Sequence, residues 1–181
     1  MRVLCLLAPG FEEIEAVTVI DLLRRAGIRV VTASIAGKSV CGSHNIIITA
    51  DALLDEVVHE DFDACFLPGG QPGTRNLADD DRVIALIKSY HHKNRFVTAI
   101  CAAPTVLLKA GILSGRLITA YPSEKETFDP ACYREEDVVC DGNIITGRGA
   151  GAAIPFALRL VESWQGREAA KSLAAKIVFR P

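Results

Sequence analysis

Cys101 stands in Ala99-Ile100-Cys101-Ala102-Ala103-Pro104, where an apolar run passes straight into a helix start. Small residues on either side suit a sharp strand–turn–helix, the geometry that lifts a nucleophile out at the end of a strand. A thiol there meets the positive end and free N–H groups of the helix, which favour the thiolate. The expectation is therefore a thiol pKa below its ordinary value, within the ~3.5–7.5 range that such sites reach. A thiolate attacks carbonyl carbon and is open to oxidation.

A second group suited to chemistry is Glu15. The residues four, seven and eleven positions after it are Val19, Leu22 and Ala26, so it heads an apolar helical stripe and should face the core. A carboxyl there tends to keep its proton, ready to donate to a thiolate or to act as acid and base. Glu12 and Glu13 read more simply, as acids that favour a helix N-terminus. Gly69-Gly70 follows an apolar run, and its N–H groups, with that of Cys101 or Ala102, can serve as oxyanion donors. Thr146-Gly147-Arg148-Gly149-Ala150-Gly151 precedes a helix and can meet an anion, although a tight connection is the commoner use of such a stretch. It lacks the spacing of a dinucleotide loop, and no Gly-Lys-Ser/Thr phosphate loop occurs.

These groups need elements to hold them. Val3 to Ala8, Arg29 to Ile35, Asp63 to Leu67 and Arg95 to Ile100 read as buried strands. Helices are expected over Glu12 to Ala26, Arg82 to His92 with a cap among Asp79 to Asp81, a segment from Pro104 to before Gly111, Gly151 to Trp164, and Arg167 to Lys176. Val40-Cys41 with Ile46 to Thr49 forms a small hairpin, and Val138 to Cys140 with Ile144 to Thr146 another, across Asp141-Gly142. Leu117 to Tyr121 reads as a short strand. Strand–helix alternation predicts an α/β fold with a mostly parallel sheet covered on both faces. Ligands of such sheets sit at the carboxyl ends of the strands. Pro9 to Glu15, Pro68 to Gly73, Ile100 to Thr105 and Thr146 to Gly151 all arrive there.

The 181 residues favour one domain, and the net charge of −2 gives no general drive toward nucleic acid or anionic lipid. No apolar stretch approaches the ~20 residues of a membrane span, and the opening apolar run ends at Pro9-Gly10 as a strand would, so a cytoplasmic protein is expected. Six cysteines, at 5, 41, 65, 101, 132 and 140, include no Cys-x-x-Cys pair, and Cys5 and Cys65 read as buried structural thiols. His91-His92 lie near no cysteine, so no metal site is expected.

Five segments in order carry a resemblance to a known family. They are Pro9 to Glu15, Arg24-Arg25-Ala26-Gly27, Leu67-Pro68-Gly69-Gly70, Ala99 to Pro104, and Thr146 to Gly151 with Phe156-Ala157-Leu158. Over nearly its whole length the chain resembles the ThiJ/PfpI superfamily, in its DJ-one-like branch. The resemblance implies a flavodoxin-like three-layer sandwich that forms a homodimer. It also implies that Cys101 is the reactive, oxidation-prone cysteine, that Glu15 is its protonated partner, and that the Gly70 and Ala102 N–H groups line the oxyanion position. Many members place a His before a Pro near the cysteine, where this chain has Tyr121-Pro122. A third activating group is then lacking at that position, although Tyr121 can still bond a ligand. The protease-like relatives carry His after the nucleophile, but here Ala102 follows, which counts against a peptidase. His44, in the hairpin where a dimer partner approaches the neighbouring site, and Arg148 are further candidate ligand contacts. The activity implied is cofactor-free conversion of α-oxoaldehydes, or removal of early glycation adducts from proteins, giving protection under oxidative stress. A redox sensor or stress chaperone needs the same Cys101 and Glu15. An amidotransferase-type reading needs a His that neither His91 nor His92 supplies.

Overall fold

The computed structural model describes residues 1–180. The strands are β1 (Arg2–Leu7), β2 (Arg29–Ser34), β3 (Ser39–Cys41), β4 (Ile47–Thr49), β5 (Ala52–Leu53), β6 (Ala64–Leu67), β7 (Phe96–Ile100), β8 (Val138–Asp141) and β9 (Ile144–Gly147). The helices are α1 (Glu13–Arg25), α2 (Leu54–Val57), α3 (Gly73–Asp79), α4 (Asp81–His92), α5 (Pro104–Lys109), α6 (Ala153–Gln165) and α7 (Arg167–Lys176). Short 3-10 turns occupy Pro122–Thr127 and Ala150–Ala152.

Seven strands form the central sheet in the order β5-β2-β1-β6-β7-β9-β8, parallel throughout except for β8 against β9. β3 and β4 pair as a separate antiparallel ribbon. Alternation along β1 shows why its sequence is apolar without interruption. Leu4 and Leu6 join the core beneath α2 to α5, whereas Val3, Cys5 and Leu7 join the one beneath α1, α6 and α7. A sheet covered on both faces has no polar side to show. The result is a flavodoxin-like three-layer arrangement.

Local signals end the helices as the sequence suggests. Gly27, at φ 77°, follows α1 and sends its N–H to Arg24 O at 3.0 Å. Asp80 is the member of the Asp79 to Asp81 trio that caps α4, accepting the Arg82 N–H at 2.9 Å. Two expectations need correction. Leu117 to Tyr121 makes only one bridge, Ile118 with Tyr133, and is not a strand of the sheet. β8 already occupies the edge beside β9, and the Thr119 and Tyr121 N–H groups bond Thr146 Oγ1 and Cys101 O instead. The helix expected from Gly151 begins at Ala153, after a 3-10 turn. No helix among the described residues is long and apolar enough to cross a membrane.

The strand order reverses between β1 and β6. From β1 the chain winds outward through β2 to β5; from β6 it winds the other way. A crevice opens at such a reversal, beyond the carboxyl ends of the strands. The segments after β1, β6 and β7 carry Glu15, Gly69-Gly70 and Cys101.

Candidate functional site

β7 delivers Cys101 directly, and the turn is strained. Cys101 has φ 64°, a left-handed conformation that costs a non-glycine residue energy. Neighbouring bonds hold it there. Its N–H donates to Gly147 O at 2.9 Å, and its carbonyl accepts the Tyr121 N–H at 2.7 Å. Ala103 N–H turns back to Ile100 O at 3.0 Å, and Pro104 opens α5. Ala102 and Ala103 are buried, so the small residues leave room for this tight passage.

Glu15 comes from the first turn of α1 and is fully buried, as the apolar stripe below it requires. Its Oε2 accepts the Gly69 N–H at 2.8 Å, while Oε1 is buried with no partner of the usual kind. A proton on this carboxyl therefore belongs on Oε1. Gly69 separates the two reactive groups. A Cβ there would stand 2.7 Å from both Cys101 Cβ and Glu15 Oε2, so no side chain fits. Gly70 has φ 89°, which a side chain would strain. This corrects one expectation. Of the Gly-Gly pair, only Gly70 keeps an N–H for the site, because that of Gly69 is committed to Glu15.

Burial pushes the Glu15 carboxyl up to about 7, and the charge of Glu12 adds to this against the bonds from Cys101 and Gly69. Burial also pushes the Cys101 thiol up, reinforced by the charge of Glu15 and opposed by the Ala102 and Gly70 N–H groups. The low thiol pKa expected from the helix end is thus not what the surroundings give. The dipole of the short α5 is outweighed by lost water and a neighbouring acid. Glu15 is fully and Cys101 partly buried, and two such groups in contact cannot both be anionic at modest cost, so the pair holds one proton over a wide pH range. Glu15 ionises first, and its carboxylate can take the thiol proton as the sulfur reacts, with the N–H groups of Gly70 and Ala102 facing the sulfur.

The matches to known proteins fit this arrangement. Residues 1–163 match the model of the DJ-1/PfpI family. The chain belongs to the DJ-1/PfpI family. It is 40% identical to protein dj-1beta of Drosophila melanogaster over 174 residues, covering 94% of this chain and 93% of that one. It is 36% identical to the glutathione-independent glyoxalase DJR-1.2 of Caenorhabditis elegans, covering 90% and 87%. The solved structure of oxidized Toxoplasma gondii DJ-1 superimposes with a TM-score of 0.97 at 37% identity, covering 99% of each chain.

The remaining candidates in this DJ-1/PfpI chain are placed more loosely. Tyr121 is exposed; its backbone is tied to Cys101, and its ring lies along Gly149. Arg148 follows β9 but is turned to Glu135, whose carbonyl accepts from Nη1 at 3.1 Å. His44 does not join Cys101 and Glu15. Its imidazole is paired with Glu13, which together with Glu12 raises its pKa. Cys5 and Cys65 are buried, and burial raises the Cys65 thiol to about 12.

Glu13 is the residue the sequence reading passed over. It is almost fully buried and accepts His44 N–H at 2.7 Å, Ile46 N–H at 3.3 Å and Ser43 Oγ at 3.2 Å. Burial works against the charge, but its own backbone, the His44 N–H and imidazole, and the Ile46 N–H outweigh it and hold the carboxyl at about 2. The one available signal was Gly42-Ser43 in the hairpin turn, because a Cβ at Gly42 would fall on this carboxylate.

Proposed function

We propose that the chain is a cysteine-dependent enzyme that converts α-oxoaldehydes such as methylglyoxal to 2-hydroxy acids, using its own side chains. The observation that carries this reading is the fully buried Glu15 carboxyl against Cys101, with the Gly70 and Ala102 N–H groups facing the sulfur. The similarity to a Caenorhabditis elegans protein named as a glutathione-independent glyoxalase supports it. The same chemistry extends to aldehyde adducts on proteins.

In this mechanism Glu15 takes the thiol proton as the Cys101 sulfur bonds to the aldehyde carbon, and passes it to the carbonyl oxygen, which becomes the hydroxyl of the hemithioacetal. The N–H groups of Gly70 and Ala102 stabilise charge on that oxygen as it forms. Glu15 then takes the proton from the former aldehyde carbon and returns it to the adjacent ketone carbon, while the hydroxyl proton passes to the ketone oxygen. The first carbon is oxidised to a thioester while the second is reduced to an alcohol, so no outside redox partner enters. Water cleaves the thioester, releasing the hydroxy acid and restoring the thiol. Tyr121, exposed and tied through its N–H to the Cys101 carbonyl, can bond the substrate.

The test is to incubate the protein with methylglyoxal without glutathione and follow aldehyde loss and lactate together. Lactate far beyond one equivalent per chain, absent in Cys101→Ser, is expected. Aldehyde loss that stops near one equivalent without lactate would reject turnover. It would favour a redox sensor, in which Cys101 is oxidised and the same N–H groups and Glu15 proton hold the oxidised sulfur. The oxidized Toxoplasma gondii relative gives that second reading its footing.

A further inference from the structure

We propose that Glu13 is a positioning residue of the thiol site, acting through the 42–46 turn to fix the segment that carries the Gly70 N–H. This rests on the enzyme reading above. Glu13 lies two residues before Glu15 on α1, yet its carboxylate points to the other side, into the turn between β3 and β4. Oε1 accepts the His44 and Ile46 N–H groups; Oε2 lies 3.2 Å from Ser43 Oγ and 3.1 Å from His44 Nδ1. Every one of these partners belongs to one five-residue turn, and Gly42 leaves the space for the carboxylate by having no side chain. A buried carboxylate with this many donors is an anchor, because removing it strands the N–H groups it satisfied.

From the turn, a continuous set of backbone bonds leads to the oxyanion loop. Ser43 N–H donates to Phe11 O at 2.8 Å, and Gly10 N–H to Cys41 O at 2.8 Å. Residues 10–12 in turn hold the glycine loop: Glu12 N–H donates to Gly69 O at 2.8 Å and Gly73 N–H to Gly10 O at 3.1 Å. Gly70 packs so closely on this segment that a Cβ would strike Glu12 N and Gly10 O. The 10–12 segment is therefore clamped between the turn and the loop. Cys101 is placed by β7 and Glu15 by α1, and the loop touches both, because the Gly69 N–H donates to Glu15 Oε2 and the Gly70 N–H faces the sulfur. Loosening the turn should thus disturb the oxyanion donor first and, to a smaller extent, the support that the loop gives the thiol pair.

Glu13→Ala and Glu13→Gln provide the test, with thermal melts to confirm that each variant folds. Glu13→Ala is expected to lower kcat for methylglyoxal by about 10- to 100-fold with little change in KM, because a displaced oxyanion donor acts on the transition state. Capture of Cys101 by iodoacetamide should slow by much less than kcat falls, because the Ala102 N–H still faces the sulfur. Glu13→Gln keeps an acceptor for the turn N–H groups and should recover most of kcat. Hydrogen exchange at the Glu12 and Gly73 amides should be faster in Glu13→Ala and normal in Glu13→Gln. A kcat within about twofold of wild type in a folded Glu13→Ala protein would overturn the inference. So would a loss of kcat matched by an equal loss of iodoacetamide capture. If the wild type itself shows no turnover, the enzyme reading fails and the exchange rates decide: unchanged Glu12 and Gly73 amides in Glu13→Ala would overturn the coupling.

Discussion

Glu13 and Glu15 sit two residues apart on one helix, both buried, and their carboxyls move in opposite directions, to about 2 and to about 7. Donors account for the difference. Glu13 has a turn full of N–H groups, while Glu15 has one N–H on Oε2 and a thiol that competes with it for the single proton. This sets a pH dependence. Below about 7 Glu15 keeps its proton and cannot take that of the Cys101 thiol, so the sulfur is a poor nucleophile. Above it the pair holds one proton, and because the thiol is pushed up, the second ionisation lies far higher. Turnover, measured as kcat/KM against pH, should rise through about 7 and then stay level. Glu15→Gln should lower turnover by ~10²–10⁴-fold while leaving Cys101 able to react once with iodoacetamide. The stability sign is also fixed. The folded carboxyl binds its proton more tightly than the unfolded one, so its favourable contribution is full below the ordinary carboxyl range and is lost as pH rises through about 7. Urea melts at pH 8 should therefore find Glu15→Gln more stable than wild type, by on the order of 2 kcal/mol. At pH 4 the difference should vanish. A variant less stable at pH 8 would mean that burial does not raise the Glu15 carboxyl.

Strand ends and helix starts make the turn that presents the sulfur, and its strain can be measured. Cys101 at φ 64° pays the left-handed cost of a side chain, which glycine escapes. Cys101→Gly should be more stable than Cys101→Ala by about 1 kcal/mol, since neither keeps the thiol and they differ mainly in that backbone cost. Equal melting midpoints would show an unstrained turn. Much of this element was legible in the sequence. The run of apolar residues into Ala102-Ala103-Pro104 predicted the turn, and the spacing from Glu15 to Val19 and Leu22 predicted a buried acid. What escaped was whatever depends on partners far along the chain. Glu13 looked like its exposed-acid neighbours, because nothing local shows that the 42–46 turn folds back onto it. Gly69 looked interchangeable with Gly70, because only the fold shows its N–H committed to Glu15. α3 was missed because its buried anchors are few, Leu77 and Thr74, and no apolar period marks seven residues of mixed character. Leu117 to Tyr121 had strand-forming residues but no free strand edge to join, since β8 folds back beside β9.

At the scale of the whole molecule, one surface carries large apolar side chains in the open. Ile14 and Val17 on α1 are 58% and 48% exposed, and Ile46, last in the turn, and Ile47, first in β4, are 56% and 64% exposed. The two pairs are held side by side, because Ile46 N–H bonds to Glu13, the residue before Ile14. Val17 and Ile48 also line one groove between α1 and β4. Four large aliphatic side chains on adjoining elements form a patch that water covers at a cost of ~25 cal/mol per Å² of apolar surface. A second copy of the chain is the occupant we propose, as the family resemblance implies, since a twofold axis lets one apolar patch cover its own copy. Sedimentation analysis should give a species of twice the chain mass. Ile14→Glu with Ile47→Glu should convert it to a monomer, because burying two carboxylates against apolar neighbours is strongly unfavourable. The patch borders the turn held by Glu13, so the monomer also reports on the site. If the partner only covers the patch, the double variant should keep its iodoacetamide reactivity at Cys101 and lose thermal stability. If the wild type sediments as a monomer, the patch is an exposed surface of the free chain and the dimer reading is wrong.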